Sequence, residues 1–483
     1  MTLSGALSNA LSGLNVSTRA TINVSSNIAN ALTEGYGRRE LTVESRMLSQ
    51  HGGVAVTGTL RHADPVLLAD RRLADAELSN ASVMADFAAR METRIGLPGE
   101  QGSLSQALAE FDSALVSAAS RPDSDERLVV AALKAEALVN TINDVSEGIG
   151  SAREDADAEI GTIVKQLNTA LERVVELNTR ISSAIHKGED TSGFEDTRQT
   201  VIDAISEMVP VHSVERDRSA VALYSTGGAI LLEGGAVEIG FSSTGKIEPQ
   251  MSLPNGQLSG LTLNGRPVDT SSESGALRGG RLAAQFEIRD EHAPDLQASL
   301  DGFARDLAER FGQGGPDGSL AAGDAGMFTD WGSPFDPGLE AGFAGRMQLN
   351  PALDPDGDTL WKWRAGIEAS NPGEVGDATL LNSLKQELSR SSSPSSSALT
   401  SVSASPEQLV AHVLSKASAM RLHADDELAF ASSAQATLKE LELGEGVDTD
   451  YELQKLMEFE TNYAANARVI QAVDEMLQAI LSI

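Results

Sequence analysis

Both ends of this chain carry apolar residues at alternating steps of three and four. That limits it to two courses: pairing the ends with each other, or finding a partner for each. At the C-terminus, Leu456, Phe459, Tyr463, Asn466, Ile470, Val473, Leu477 and Ile480 keep the alternation without a break. This is the spacing of a coiled-coil seam. Its only polar member is Asn466, and one buried Asn in such a seam fixes register at a cost in stability. At the N-terminus, Leu3, Leu7, Ala10, Leu14, Ser17, Thr21, Val24 and Ile28 repeat the period, with Ser17 and Thr21 weakening its middle. Taken alone, this segment reads as an ordinary amphipathic helix. It is polar for one, and isolated helices are marginal in water. It is therefore expected to be disordered in the free chain and to fold against a partner. The C-terminal seam supplies that partner. Residues 450–483 carry a charge of −4 and residues 1–33 carry +1, so the two ends are weakly complementary. A helix of about 25 residues is roughly 37 Å long. Pairing the two would make a rod with both termini at one end.

Composition removes several classes of function. The 483 residues include no cysteine, which excludes a disulfide scaffold, a thiolate metal site and a cysteine nucleophile. A net charge of −33 argues against nucleic acid and anionic membrane surfaces as partners. No apolar run reaches the roughly 18 residues of a membrane span. The first thirty residues lack the charged start, apolar stretch and cleavage site of a secretory signal. With 12 phenylalanines, 4 tyrosines and 3 tryptophans, the chain is poor in the aromatics that line sugar or cofactor clefts.

Residues 25–36, SSNIANALTEGY, resemble the N-terminal signature of bacterial flagellar axial proteins. Residues 461–481, TNYAANARVIQAVDEMLQAIL, resemble the C-terminal signature of the same group. Asn27 and Asn30 lie three apart on one helix face, where their amides can satisfy neighbouring groups as the helix ends. Gly35 then lets the chain turn with positive φ. Rod, hook and hook-associated proteins share such ends, so the middle has to discriminate. Residues 41–58 alternate loosely as an extended stretch, and 63–95 read as helix. Ser103 caps a helix over 103–119, Pro122 stops it, and a further helix runs from about 124 to 185. The passage LSQALAEFDSALVSAASRPDSDERLVVAALKAEALVNTIN (104–143) and the block EDTRQTVIDAISEMVP (195–210) resemble the hook-associated protein 1 family. The resemblance covers most of 1–212 and about 406–483.

Between those regions the period changes. Residues 211–275 alternate and are broken by Gly-Gly pairs at 227–228 and 234–235, which reads as short strands with tight turns. Residues 281–311 return to helical spacing. Residues 312–376 are rich in Gly, Pro and Asp and hold all three tryptophans, which suggests irregular structure around a small apolar centre. A short helix over 377–389 precedes a Ser-rich run to Pro406 that reads as a mobile linker. A helix from Glu407 to Leu443 follows, expected to pack back on the first half. The expected fold is mainly α with a β-rich insert: an elongated, multi-domain axial protein whose N- and C-terminal helices pair as a coiled coil beside a helical-bundle core. The expected divisions are 1–62 (axial helix and extended loop), 63–210 (first part of the core), 211–280 (β-rich outer domain), 281–315 (return helix), 316–405 (irregular outer region and linker), 406–446 (last part of the core) and 447–483 (C-terminal axial helix).

No catalytic chemistry emerges, and no catalytic, cofactor-binding or metal residues are assigned. His423 and Glu427 stand four apart on a helix without a third ligand, and Asp354, Asp356 and Asp358 lack the rest of a calcium loop. There is no GxSxG elbow and no phosphate-binding GxxxxGK loop. The family resemblance implies a structural role at the hook–filament junction, as a ring of subunits assembled through the terminal helices. The implied partners are further copies of the chain, the hook protein, the second junction protein, and an export chaperone at the C-terminus. It implies an extracellular place in the flagellum, reached by flagellar type III export without a cleaved signal. The residues expected at the assembly interface are Leu7, Leu14, Val24, Asn27, Ile28, Asn30 and Gly35, with Leu456, Phe459, Tyr463, Asn466, Ile470, Val473 and Leu477 opposite. The alternatives are another axial protein, or an adhesin or enzyme on an axial-type scaffold.

Overall fold

The computed structural model describes residues 3–46, 52–272, 274–399 and 403–482. The middle of the 41–58 stretch (47–51) and part of the Ser-rich run (400–402) lie outside the described residues. The chain opens with α1 (Leu3–Ala29), a hairpin of β1 (Arg38–Ser45) and β2 (Val54–His62), α2 (Pro65–Ile95), α3 (Leu104–Ser120), α4 (Asp125–Lys187) and α5 (Ser192–Met208). A strand-rich part follows: β3 (Val211–Glu215), β4 (Val221–Ser225), β5 (Ile230–Glu233), β6 (Gly235–Ala236), β7 (Ile239–Gly240), β8 (Thr262–Leu263) and β9 (Arg266–Pro267). The chain then returns through α6 (Gly280–Glu287) and α7 (Ala293–Arg310). Next come β10 (Phe328–Asp330), α8 (Phe343–Arg346), β11 (Met347–Leu349), α9 (Lys362–Ala365) and α10 (Thr379–Ser389). It closes with α11 (Pro406–Glu445) and α12 (Thr449–Leu481). The fold is mainly α and elongated, with a β-rich insert.

Local chemistry sets the helix ends. The Asp64 side chain accepts from Val66 N at 2.8 Å, just ahead of Pro65 at the first helical position. Ser103 caps α3 by accepting from Gln106 N. Ser405 and Gln408 form a reciprocal capping box before α11. Gly188 ends α4 in the left-handed conformation. At 63 residues, α4 is a spine about 95 Å long. Two cores share it. The first half of α4 packs with α2, α3 and α7, and α11 joins the same core against α2 and α7. The second half, from Ile160 to Val174, packs with α5, α6 and the sheet ordered β3-β4-β5-β6.

Two stretches differ from their sequence reading. The 312–376 region does not enclose a centre of its own. Phe328 and Trp363 stand edge-on to Phe111 of α3, each 6.4 Å between ring centroids, inside the helical core. Trp331 is exposed instead. The described part of the Ser-rich run is docked rather than loose: Ser392 and Ala404 bridge, and Ser396 and Leu399 are buried against Gly302 of α7. The missing side chain at Gly302 makes room for Ser396 and Leu399, a neighbour that composition alone cannot reveal.

The helical reading of 281–311 also needs an amendment. A π-helical turn, Ile288–His292, separates α6 from α7. Pro294 has no N–H to give the carbonyl four residues back, and one wide turn absorbs the misfit. Glu287, just before this turn, is pushed up to about 7 by burial, then by Glu291 and Glu427. The folded chain thus holds this proton more tightly than the unfolded chain does. Stability is greatest below the ordinary carboxylate value and falls as pH rises toward 7. Glu287→Gln is expected to raise the unfolding free energy at pH 8 by an amount on the order of 2 kcal/mol, allowing for partial solvent screening, and the melting temperature with it. The gain should vanish near pH 4.5. Melts at both pH values check this, and an equal gain at both would refute it.

Candidate assembly interface

The terminal helices do pair: α1 lies along α12, with the β1–β2 hairpin against α1. The register on α1 is offset from the apolar positions. Ala10, Ser17 and Val24 are buried as the spacing predicts, but the intervening buried positions are Ala20 and Asn27 rather than Thr21 and Ile28. Small residues allow close approach. A Cβ on Gly13 would stand 2.7 Å from Asn466 Nδ2, so any larger residue would displace the Asn466 amide where the helices touch. Asn466 is half-buried there and gives its amide to Asn462 O at 3.0 Å, within its own helix.

The other expected positions divide by burial. Leu7, Leu14, Ile28, Asn30 and Gly35 are half-buried, as are Leu456, Phe459 and Ile470. Val473 is buried. Tyr463 and Leu477 remain 45% and 40% exposed. Further along α12, Met457, Val469, Met476 and Ile480 are also exposed. One neighbouring helix covers one stripe of α12 and leaves the rest of its apolar surface open.

The polar centre of the junction is Asn27, fully buried at the end of α1. Its Oδ1 accepts from Arg39 N at 3.0 Å and from the Tyr36 hydroxyl at 2.8 Å. Its Nδ2 donates to Arg39 O at 2.9 Å and to Glu452 Oε2 at 3.1 Å. The amide thus pairs with both backbone groups of Arg39, as a neighbouring strand would, and joins α1, β1 and α12. Burial pushes the Tyr36 phenol above its usual range, which keeps it a donor. Glu452 is itself buried, 3.4 Å from Arg38 Nε. Asn30 Nδ2 donates to Ser26 O at 2.9 Å and Asn30 Oδ1 accepts from Thr33. This closes the helix end before Gly35, whose φ is 76°. A Cβ there would also meet Thr200 Oγ1 at 2.6 Å and turn that hydroxyl aside, but it is the positive φ that favours glycine.

A second group of charges ties this junction to the core. Asp196 of α5 accepts from Gly37 N at 3.0 Å, from Arg39 at 2.7 Å and from Arg61 at 2.7 Å. Arg61 also reaches Gly35 O at 3.1 Å and Gln199. Deeper in, Arg71 bridges Asp75 at 2.6 Å, Asp203 at 2.7 Å and Glu442 at 2.6 Å, joining α2, α5 and α11. Sequence reasoning did not single out Glu452, Asp196, Arg38, Arg39 or Arg61. Two adjacent arginines after a helix stop, in so acidic a chain, were the available signal. Arg38 has a neighbour in Glu40, but the carboxylates that tie the pair to other elements, Glu452 and Asp196, lie more than 150 residues away. No cluster of three or more metal-ligating side chains occurs among the described residues.

Comparisons with known proteins find flagellar relatives. The family model described as the flagellar hook-associated protein FlgK helical domain matches residues 89–328. The model described as the flagellar basal body rod FlgEFG protein C-terminal matches residues 443–483. The chain is similar to flagellar hook-associated protein 1 of Bacillus subtilis (strain 168), with 22% identity across 94% of this chain and 93% of that protein. It is 22% identical to flagellar hook-associated protein 1 of Escherichia coli (strain K12), across the whole of both chains (100% of each). A 26% identity to the Salmonella typhimurium protein of the same name spans 48% of this chain and 43% of that one. Among solved structures, that of the flagellar hook junction protein FlgK from Burkholderia pseudomallei overlaps 54% of this chain and 46% of its own. Its TM-score is 0.44 and its identity 17%.

Proposed function

Because the chain belongs to the family of flagellar hook-associated protein 1, we propose that it forms the junction between hook and filament by self-assembly through its terminal helices. It is a structural component of the bacterial flagellum, an extracellular appendage. The observation that carries the finer reading is the open apolar face of α12, where Met457 and Ile480 are 62% and 58% exposed beside Tyr463, Val469, Met476 and Leu477. Burying a fully exposed side chain of this kind is worth about 1.5–3 kcal/mol, and covering what remains open of each of these is worth roughly half of that. A ring of copies, each laying its terminal helices against its neighbours, covers this face in a way that α1 alone does not. Val24, Asn27 and Val473, buried within the chain, hold the terminal helices together, and the other assembly residues are Leu7, Leu14, Ile28, Asn30 and Gly35, with Leu456, Phe459, Tyr463, Asn466, Ile470 and Leu477. The mechanism is coupled folding and assembly: each terminal seam gains stability as neighbours bury it. The hook protein lies on one side of the ring and the second junction protein on the other. A chaperone holds the C-terminal helix before export through the flagellar type III apparatus. No catalytic role is proposed.

Electron microscopy of cells lacking the protein tests this reading. The expected result is hooks without filaments, with filament subunits shed into the medium, and normal filaments would refute it. Deleting residues 456–483 is expected to leave a folded core that cannot assemble. A truncated chain that restored filament attachment would overturn the role given to α12.

A further inference from the structure

The face where α2 meets α11 carries a groove unrelated to the terminal helices. Phe430 of α11 is 74% exposed at its edge, and Leu73 of α2 is 40% exposed across from it. The groove encloses about 720 Å³. Its floor is made of small residues: Ala76, Ala81 and Ala431 are buried there, beside Pro210 and Gly279. Asn80 closes one side by donating to Gly280 O at 3.1 Å. The floor is therefore shallow and apolar, and the large apolar side chains stand at its rim.

The walls are acidic. Glu77 of α2, Asp426 and Glu427 of α11 and Glu287 of α6 all line the groove. Glu287 is set in a half-buried position beside two more carboxylates, Glu291 and Glu427. The positive groups nearby are few. Arg278 lines the groove as well, His423 Nε2 stands 3.3 Å from Glu427 Oε1 on an exposed face of α11, and His292, held neutral more readily by burial, lies near Glu427. An ionised carboxylate without a close cation in a partly dry site is unfavourable, and an incoming cation relieves it. An exposed aromatic at the rim of such a groove offers an apolar anchor and a ring face for a cation. A second copy of this chain is a poor match for acidic walls, because its 37 lysines and arginines stand against 70 acidic residues, whereas the terminal helices proposed to join copies are nearly neutral.

We propose that the groove between α2 and α11 docks a segment of a different protein that carries a lysine or arginine beside an apolar side chain. The apolar side chain sits between Phe430 and Leu73, and the cation pairs with Glu287 and Glu427. This reading goes beyond the junction role and does not depend on the terminal helices.

The test uses the full chain and a panel of labelled decapeptides. In each, a leucine or phenylalanine stands one to four residues from a lysine or arginine, and a matched set replaces the cations with glutamates. Fluorescence polarisation should give saturable binding of some basic members, at least about tenfold tighter than their acidic counterparts. Phe430→Ala leaves the charge unchanged, and Glu287→Gln with Glu427→Gln leaves the groove's shape. Each should weaken binding about fivefold or more, and added salt should weaken it further. If no basic member saturates, the proposal fails. It also fails if Phe430→Ala binds the basic peptides as well as the parent chain, since attraction to the overall negative charge would then suffice. Sedimentation of the chain without peptide is the remaining check. Self-association abolished by Phe430→Ala would assign the groove to a second copy and overturn the proposal.

Discussion

Asn27→Ala is expected to detach the β1–β2 hairpin and the first turns of α12 from α1 while the helical core stays folded. The substitution removes four hydrogen bonds at a fully buried site. It also strands the N–H and C=O of Arg39, with water largely excluded. A buried unsatisfied group costs about 1–3 kcal/mol, so a local loss of roughly 3 kcal/mol is a fair expectation. Glu452 would keep only Arg38, at 3.4 Å, for its buried carboxylate. Hydrogen exchange on the full chain reads the effect directly. Amides of β1, the end of α1 and the start of α12 should lose protection, and those of α4 and α7 should not. Unchanged protection across the junction would show that helix packing alone holds it.

The second large effect lies where the two cores meet. Arg289, turned inward by the π-helical turn, is fully buried and pairs with the equally buried Asp157 of α4 at 2.7 Å. Asp157 also accepts from Ser243 Oγ at 2.8 Å and from Thr244 N at 2.6 Å, which pins the strand-rich part to the spine. Arg153, one turn earlier, donates to Arg289 O at 2.9 Å and to Met251 O at 2.8 Å. Asp157→Ala leaves the guanidinium buried with Asp290 as its remaining carboxylate, 2.8 Å away. Breaking a buried pair from one side costs about 3–5 kcal/mol, and Asp290 should hold this case near the lower end. Urea unfolding should report that loss. The double change Asp157→Leu with Arg289→Met should recover most of it, because an apolar pair of similar volume needs no compensating charge. Should the double variant be as unstable as the single one, the backbone bonds of Asp157 would be the dominant contribution.

Much of this was legible along the chain. The helices over 63–95, 103–119 and 124–185 follow from apolar spacing, caps and Pro122, all of which act within a few residues. The helix end at Asn27–Gly35 was equally readable, because an Asn amide and a positive-φ glycine are local devices. The helix pairing of the two ends followed from their shared period. The seam register did not: the apolar spacing pointed to Thr21 and Ile28, while the contact favours Gly13, Ala20 and Asn27. Close helix approach rewards small side chains, and hydrophobicity does not measure that.

Asp196, Glu452 and the Asp157–Arg289 pair were beyond the reach of any local pattern. Each carboxylate matters because of a cation more than a hundred residues away, and in a chain with 70 acidic residues no one of them stands out. The Ser-rich run and Trp363 belong to the same class: flexibility and close docking share a composition, and only a neighbour such as Gly302 or Phe111 distinguishes them. Period, capping and turn chemistry are properties of consecutive residues and can be read from the chain. Which polar groups are buried, and against what, depends on where distant segments come to rest, because the energy of a buried charge is set almost wholly by the partner it meets there.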